Sequence, residues 1–168
     1  MTTYPYGYCG MPCALCSRYH TEGASRCPGC SHDGYYTEPC KTHHCCREKA
    51  LLHCGLCGMF PCPKLGKMTD FRDLNTGGAK LRTCRRVGKV GFEQWYEEYT
   101  QKAELLTIAL ARYNNGRMKR FLCELFLQQD LPILQAIMNR AASLQGTPKE
   151  LAPAFRAIVA EALDSQPT

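Results

Sequence analysis

Cys54-Gly55-Leu56-Cys57-Gly58-Met59-Phe60-Pro61-Cys62 sets three cysteines in nine residues, and reading them as metal ligands decides what fold the N-terminal half can have. Cys54 and Cys57 make a C-x2-C knuckle. Two intervening residues let both sulfurs of a tight turn reach one ion at about 2.3 Å, with glycine supplying the turn geometry. Working outward, Cys27-Pro28-Gly29-Cys30 is a second knuckle, followed by Cys40 and Cys45. Cys9, Cys13 and Cys16 read C-x3-C-x2-C. One such pair is a weak signal; three, with satellite cysteines between them, are a strong one.

The thirteen cysteines of this 168-residue chain are unevenly placed, eleven of them falling between Cys9 and Cys62. Dense cysteine signals either a secreted disulfide framework or a metal site. The chain opens Met1-Thr2-Thr3-Tyr4-Pro5-Tyr6, with no basic n-region or apolar h-region of a secretory signal. The odd cysteine count leaves at least one thiol unpaired. Metal-bound thiolates in a cytoplasmic protein are therefore the expectation. No uncharged apolar run approaches the roughly 18 residues of a membrane span, so no membrane partner is expected.

Zinc, two or three ions, is the expected metal, because sulfur-only sites suit zinc or an iron–sulfur cluster. The cluster is the alternative. The ferredoxin run C-x2-C-x2-C-x3-C-P is absent. The opening C-x3-C-x2-C matches the spacing of radical enzymes that cleave S-adenosylmethionine, but no alternation of strand and helix follows it. Candidate ligands are Cys9, Cys13, Cys16, Cys27, Cys30, Cys40, Cys45, Cys54, Cys57 and Cys62. By spacing alone, Cys27, Cys30, Cys40 and Cys45 could close one tetrahedral site, with Cys54 and Cys57 joining two cysteines of the first group. Ten exceed two four-ligand sites, so a third site or spare thiols must follow. His43, His44 and His53 are read as structural. Cys46 is expected to be spare, Cys84 is ambiguous, and Cys123 is expected to be a small buried hydrophobe.

Residues 1–66 are expected to form a loop-rich, metal-organised part of zinc knuckles with room for short strands, lacking the periodic apolar pattern needed to fold alone. A two-turn helix over Cys45–His53 is the one regular element expected there. Residues 67–90 are a basic junction, with a turn at Asn75-Thr76-Gly77-Gly78 and a basic run, Lys80-Leu81-Arg82-Thr83-Cys84-Arg85-Arg86, read as a solvated helix face or linker. Residues 91–168 are an all-α part of about four helices. Phe92, Trp95, Tyr96, Tyr99, Ala103, Leu106, Leu110 and Tyr113 recur at helical spacing. Asn114-Asn115-Gly116 stops that helix, and a second is expected over Arg117–Gln128. A third follows Asp130 and ends near Gly146. Thr147-Pro148-Lys149-Glu150 is a capping box that opens a fourth, whose apolar face includes Leu151, Phe155, Ile158 and Val159.

The run Cys9-Gly10-Met11-Pro12-Cys13-Ala14-Leu15-Cys16, the knuckle Cys27–Cys30 and the closing Cys54–Cys62 stretch resemble a family of cysteine-rich bacterial and archaeal proteins of unknown function. Members open C-G-x-x-C-x-x-C, close C-x-x-C-x-x-[FY]-P-C, and carry a C-x4-C pair matched by Cys40 and Cys45. The resemblance covers residues 8–65, and extends loosely to Gly91-Phe92-Glu93-Gln94-Trp95. It implies a cytoplasmic metal-binding protein, taken to bind zinc, with no established reaction. Cys46, Cys84 and Cys123 depart from the pattern.

Closed four-thiolate sites leave no position for water or substrate. No nucleophile-and-base set, phosphate loop or dinucleotide fingerprint is present. The function expected is therefore a non-catalytic zinc-binding interaction module for protein or nucleic acid. The alternative is an iron–sulfur or thiol-based redox enzyme. Nucleic acid would be bound through Arg82, Arg85, Arg86 and Lys89. The +6 formal charge argues only weakly for such a partner, since each four-thiolate zinc adds about −2.

Overall fold

A computed structural model describes residues 3–30, 38–65 and 78–165. Tyr35, Tyr36, the Asn75-Thr76-Gly77 turn and the boundary between the first two segments lie outside them. The principal helices are α1 (Lys41–Glu48), α2 (Ala79–Val90), α3 (Phe92–Tyr113), α4 (Lys119–Gln128), α5 (Leu131–Ala141) and α6 (Pro148–Asp164). Single helical turns occupy Cys13–Leu15 and Cys54–Leu56. No strand occurs among the described residues. None of their helices is long and apolar enough to cross a membrane.

Helix α3 is the axis of the fold and packs against α2, α4, α5 and α6. Its inward stripe, Trp95, Tyr99, Ala103, Leu106, Ala109 and Tyr113, steps by three or four residues as one face of a helix must. Tyr113 stacks on Phe155 of α6 with ring centroids 4.3 Å apart, and its buried hydroxyl donates to the Ala141 carbonyl at 3.0 Å. One side chain thus joins three helices. Cys123, fully buried on α4, belongs to this core. The capping box at Thr147 is formed on both sides, with Glu150 reaching back to the Thr147 N–H at 2.8 Å.

Several boundaries differ from the sequence reading for local reasons. Helix α4 starts at Lys119, not Arg117, because the Asn114 carboxamide oxygen accepts the N–H groups of Gly116 and Met118 and holds the chain in a turn. Helix α5 ends at Ala141, and the Leu144 N–H bonds back to the Ala141 carbonyl before Gly146 is reached. The helix expected over Cys45–His53 runs instead over Lys41–Glu48. It is terminated by Ala50, in the left-handed region at φ 51°. The Ala50 N–H bonds to the Arg47 carbonyl and the Leu51 N–H to the Cys46 carbonyl, a Schellman ending with alanine where glycine is usual.

The basic run 80–86 lies within α2 and is anchored rather than free-standing. Ala79, Cys84 and Val87 are buried, whereas Arg82, Arg85, Arg86 and Lys89 are exposed at i, i+3, i+4, i+7. Arg86 makes a two-pronged bond to the Glu98 carboxylate of α3. Burial pushes Lys102 of α3 down to about 8, with Asp130 and Glu98 opposing and Arg82 and Arg86 adding to the fall.

The N-terminal segment is attached to α3 by two tyrosine hydroxyls that bond backbone. Tyr96 accepts the Tyr4 N–H at 3.1 Å and donates to the Tyr4 carbonyl at 3.2 Å. Tyr99 accepts the N–H of fully buried Ala14 at 2.8 Å and donates to the Pro5 carbonyl at 2.5 Å. Tyr6 sits among Phe92, Trp95 and Tyr96 with centroids 5.3, 5.6 and 5.8 Å away. Removing the Tyr99 hydroxyl orphans a buried donor and its companion acceptor, so Tyr99→Phe is expected to destabilise the protein by about 2–4 kcal/mol. Denaturant unfolding measures this, and a loss below about 0.5 kcal/mol would show that water replaces both bonds.

Candidate metal centre

Two glycines of the cysteine motifs set the site on α2. A Cβ at Gly10 would stand 2.3 Å from the Lys80 carbonyl oxygen and 2.8 Å from the Cys84 sulfur. A Cβ at Gly55 would stand 2.4 Å from the Cys84 carbonyl oxygen. Gly10 is also left-handed, at φ 88°, but Gly55 is not, so close approach alone requires glycine there. Gly88 of α2 answers Gly55 from the other side, with 3.0 Å between its virtual Cβ and the Gly55 oxygen. The residue after the first cysteine of each motif therefore lets the loops touch helix backbone.

This docking gathers the cysteines in two groups. In the first, the Cys30 N–H lies 3.5 Å from the Cys13 sulfur. The Cys13 thiol donates to the Met11 carbonyl at 3.6 Å, and the interaction of the two side chains raises Cys13 and lowers Cys30 to about 7. Burial pushes Cys9 up to about 11, with Lys80 opposing and the nearby sulfurs of Cys30 and Cys40 adding. Cys13 and Cys30 are thus in contact, and Cys9, Cys40 and Lys80 lie near enough to bear on them electrostatically.

The second group surrounds a cavity of about 350 Å³ between α1 and the 51–65 segment, lined by Cys45, Cys46, Cys54, Cys57 and Cys62. Phe60–Pro61, just before Cys62, is a cis peptide. The Cys46 and Cys54 sulfurs are 3.5 Å apart and share a hydrogen bond in which either can donate; the contact holds Cys54 up and Cys46 down from the ordinary thiol value. Cys46, expected to be spare, is part of this wall. Its helical phase explains why: with α1 beginning at Lys41, Thr42 and Cys46 form the inward face one turn apart. Cys45, which spacing alone joined to Cys27, Cys30 and Cys40, lines the cavity with Cys57.

Cys84 lies between the groups. It is fully buried, its thiol donates to the Cys9 carbonyl at 3.4 Å, and it is pushed up to about 12 by burial with Cys9, Cys46 and Cys62 adding. Cys16 is buried on the helical side, close enough to Cys123 to add to the rise that burial imposes there. Cys27 is half-buried and donates its N–H to the Arg18 carbonyl at 3.1 Å. Among the described residues, no three His, Cys, Asp or Glu side chains are drawn close enough to hold one ion as placed.

The histidines have other employment. His53 is fully buried, and its Nδ1 accepts the Gly55 N–H at 3.0 Å, which puts the proton of the neutral ring on Nε2. Nε2 has no hydrogen-bond partner and lies among the rings of Tyr6 and Trp95. Burial pushes His53 down to about 4. His44 bonds the Glu38 carbonyl at 2.6 Å through Nε2, and the His43 ring lies 5.1 Å from that of Tyr8.

Close approach separates two glycines of one motif. A Cβ at Gly58 would meet nothing within 4 Å. Gly58→Ala is expected to change stability by less than about 1 kcal/mol, whereas Gly55→Ala must push the 54–56 turn off α2 and cost about 3 kcal/mol or more. Thermal or denaturant unfolding of the pair checks this, and equal effects would refute the docking.

Residues 5–67 match the model of a protein family of unknown function, DUF3795. No curated protein and no solved structure matches the chain significantly. The match falls on the same cysteine-rich segment that carries the motif resemblance.

Proposed function

We propose that the cysteine-rich segment is a thiolate metal-binding module, non-catalytic, that presents a folded surface to a macromolecular partner. The observation that supports this reading is the contact of Cys13 with Cys30, where the Cys30 N–H lies 3.5 Å from the Cys13 sulfur, with Cys9 and Lys80 nearby. An all-sulfur donor set of this kind fits zinc, which takes four thiolates in a tetrahedral site. Zinc in such a site supplies folding energy and charge, not a reaction centre. Lys80 supports it by offsetting thiolate charge. The cavity group is a second centre of the same sulfur chemistry. None of the thirteen cysteines is joined in a disulfide in this structure, which is compatible with their serving as metal ligands.

Elemental analysis of the purified protein is expected to give at least one zinc per chain, reduced by about one in Cys13→Ser. Chelation should then loosen the N-terminal segment, with the near-ultraviolet signal of the Tyr6–Trp95 cluster falling. A protein that carries no metal, and whose spectrum is indifferent to chelator, would sink the reading.

Nucleic acid is the partner that a specific observation favours. Arg82, Arg85, Arg86 and Lys89 make one exposed stripe on α2, although Arg86 is already engaged by Glu98. Charge reversal at Arg82, Arg85 and Lys89 is expected to weaken RNA or DNA binding at least tenfold. It should also reduce the salt slope by about 0.9 per lost phosphate contact. Unchanged affinity would direct the search to proteins instead.

A further inference from the structure

We propose that Cys46 and Cys54 are a peroxide-reactive dithiol, which closes to a disulfide inside the cavity between α1 and the 51–65 segment. The inference goes beyond the metal reading and holds whether or not the group around Cys13 carries zinc.

The backbone brings these two cysteines together. Helix α1 ends at Glu48, and left-handed Ala50 reverses the chain, with the Leu51 N–H bonded to the Cys46 carbonyl at 2.9 Å. The returning segment is held from its other side. The Cys54 N–H donates to the Tyr8 carbonyl at 2.8 Å, and Gly55 lies directly against the backbone of α2. Main chain thus fixes both ends of the pair, and the sulfurs meet at 3.5 Å. A disulfide bond is about 2.05 Å long, so closure brings the two sulfurs together by about 1.5 Å.

The cavity selects the co-reactant. Both side chains are buried, and both line the same space of about 350 Å³, so an oxidant must be small enough to enter it. Hydrogen peroxide meets that condition. Lys49, at the end of α1, lines the cavity too and gives a thiolate at Cys46 a positive neighbour, which makes Cys46 the attacking sulfur. Its attack on a peroxide oxygen forms an S–O bond and breaks the O–O bond, and the departing hydroxide takes up the Cys46 proton as water. The Cys54 sulfur then attacks the sulfenic sulfur of Cys46. The S–S bond forms, the S–O bond breaks, and the second hydroxide takes up the Cys54 proton. Two thiols have lost two electrons and two protons, and one peroxide has become two waters. A sulfur held in the disulfide carries no thiolate charge, so oxidation withdraws Cys54 from the donors open to metal.

The test is to reduce the full chain, remove the reductant anaerobically and add an equimolar amount of hydrogen peroxide. The remaining thiols are then alkylated and located by mass spectrometry of the intact chain and its peptides. A loss of two alkylated thiols per chain is expected, with a cross-link that fragmentation places on Cys46 and Cys54, and full recovery in dithiothreitol. Cys45→Ala should keep the cross-link. Cys54→Ala should stop at a sulfenic acid on Cys46, which dimedone traps. A cross-link from Cys45 to Cys57 or Cys62 would overturn the assignment. So would oxidation spread evenly over the thirteen cysteines, or a wild-type chain that keeps all of its thiols.

Discussion

Backbone against backbone, with no side chain between, is the contact on which the cysteine-rich half depends. Gly10 and Gly55 let two loops close onto one turn of α2, at the carbonyls of Lys80 and Cys84. Such an approach has little room to relax, because its atoms are main chain on both sides rather than the ends of flexible side chains. It fixes where Cys9 and Cys54 begin, and therefore where the sulfurs that follow them can point. Cys84 is fully buried at the same turn, its thiol donating to the Cys9 carbonyl at 3.4 Å. Helix α2 thus serves as the floor of the site while its outer face carries the arginine stripe.

The second attachment is polar. Loop segments carry backbone donors and acceptors that no ladder satisfies, and burying them costs about 1–3 kcal/mol each when unpaired. Tyr96 and Tyr99 take up four of these groups in residues 4–14. Their rings meanwhile belong to the apolar stripe of α3, with Trp95 stacked on Tyr99 at 5.2 Å. Tyrosine suits this position because one residue contributes area to the core and a hydrogen-bond handle to the loop. The helical half is thus a template for the N-terminal strand of loops as well as a fold of its own.

The helices after residue 91 were legible because each buries a full stripe, and because Asn114, Pro132 and the Thr147 box mark their ends by mechanisms that need no tertiary partner. Helix α2 was read only as a junction because its inward face is small, Ala79, Cys84 and Val87, and its rows of arginine mask the period. The clustering of the cysteines was legible from spacing, whereas their positions depend on where α1 starts and on which loops the two glycines admit to α2. Cys46 shows the point: the phase of α1, which spacing does not give, turns it into the cavity wall. The glycines of C-G pairs were read as turn formers, and at Gly55 the reason is instead the distance to a neighbouring carbonyl.

Charge ties the two readings together. Residues 41–90 hold eleven Lys and Arg against three Asp and Glu, a formal excess of +8 when every cysteine is counted neutral. The fold places part of that excess beside sulfur: Lys80 with Cys9 and Cys30, Lys49 and Lys64 around the cavity. Four thiolates on one zinc contribute about −2, so under the proposed reading these lysines act as local counter-charges. Glu98 neutralises a further charge at Arg86. Arg82, Arg85 and Lys89 are exposed on the outer face of α2, as are Lys41 and Arg47 on α1. Under the proposed reading, a basic composition that looks like a general affinity for polyanions is in part the electrostatic counterpart of the thiolates, and the α2 stripe is an outward-facing basic surface beyond them.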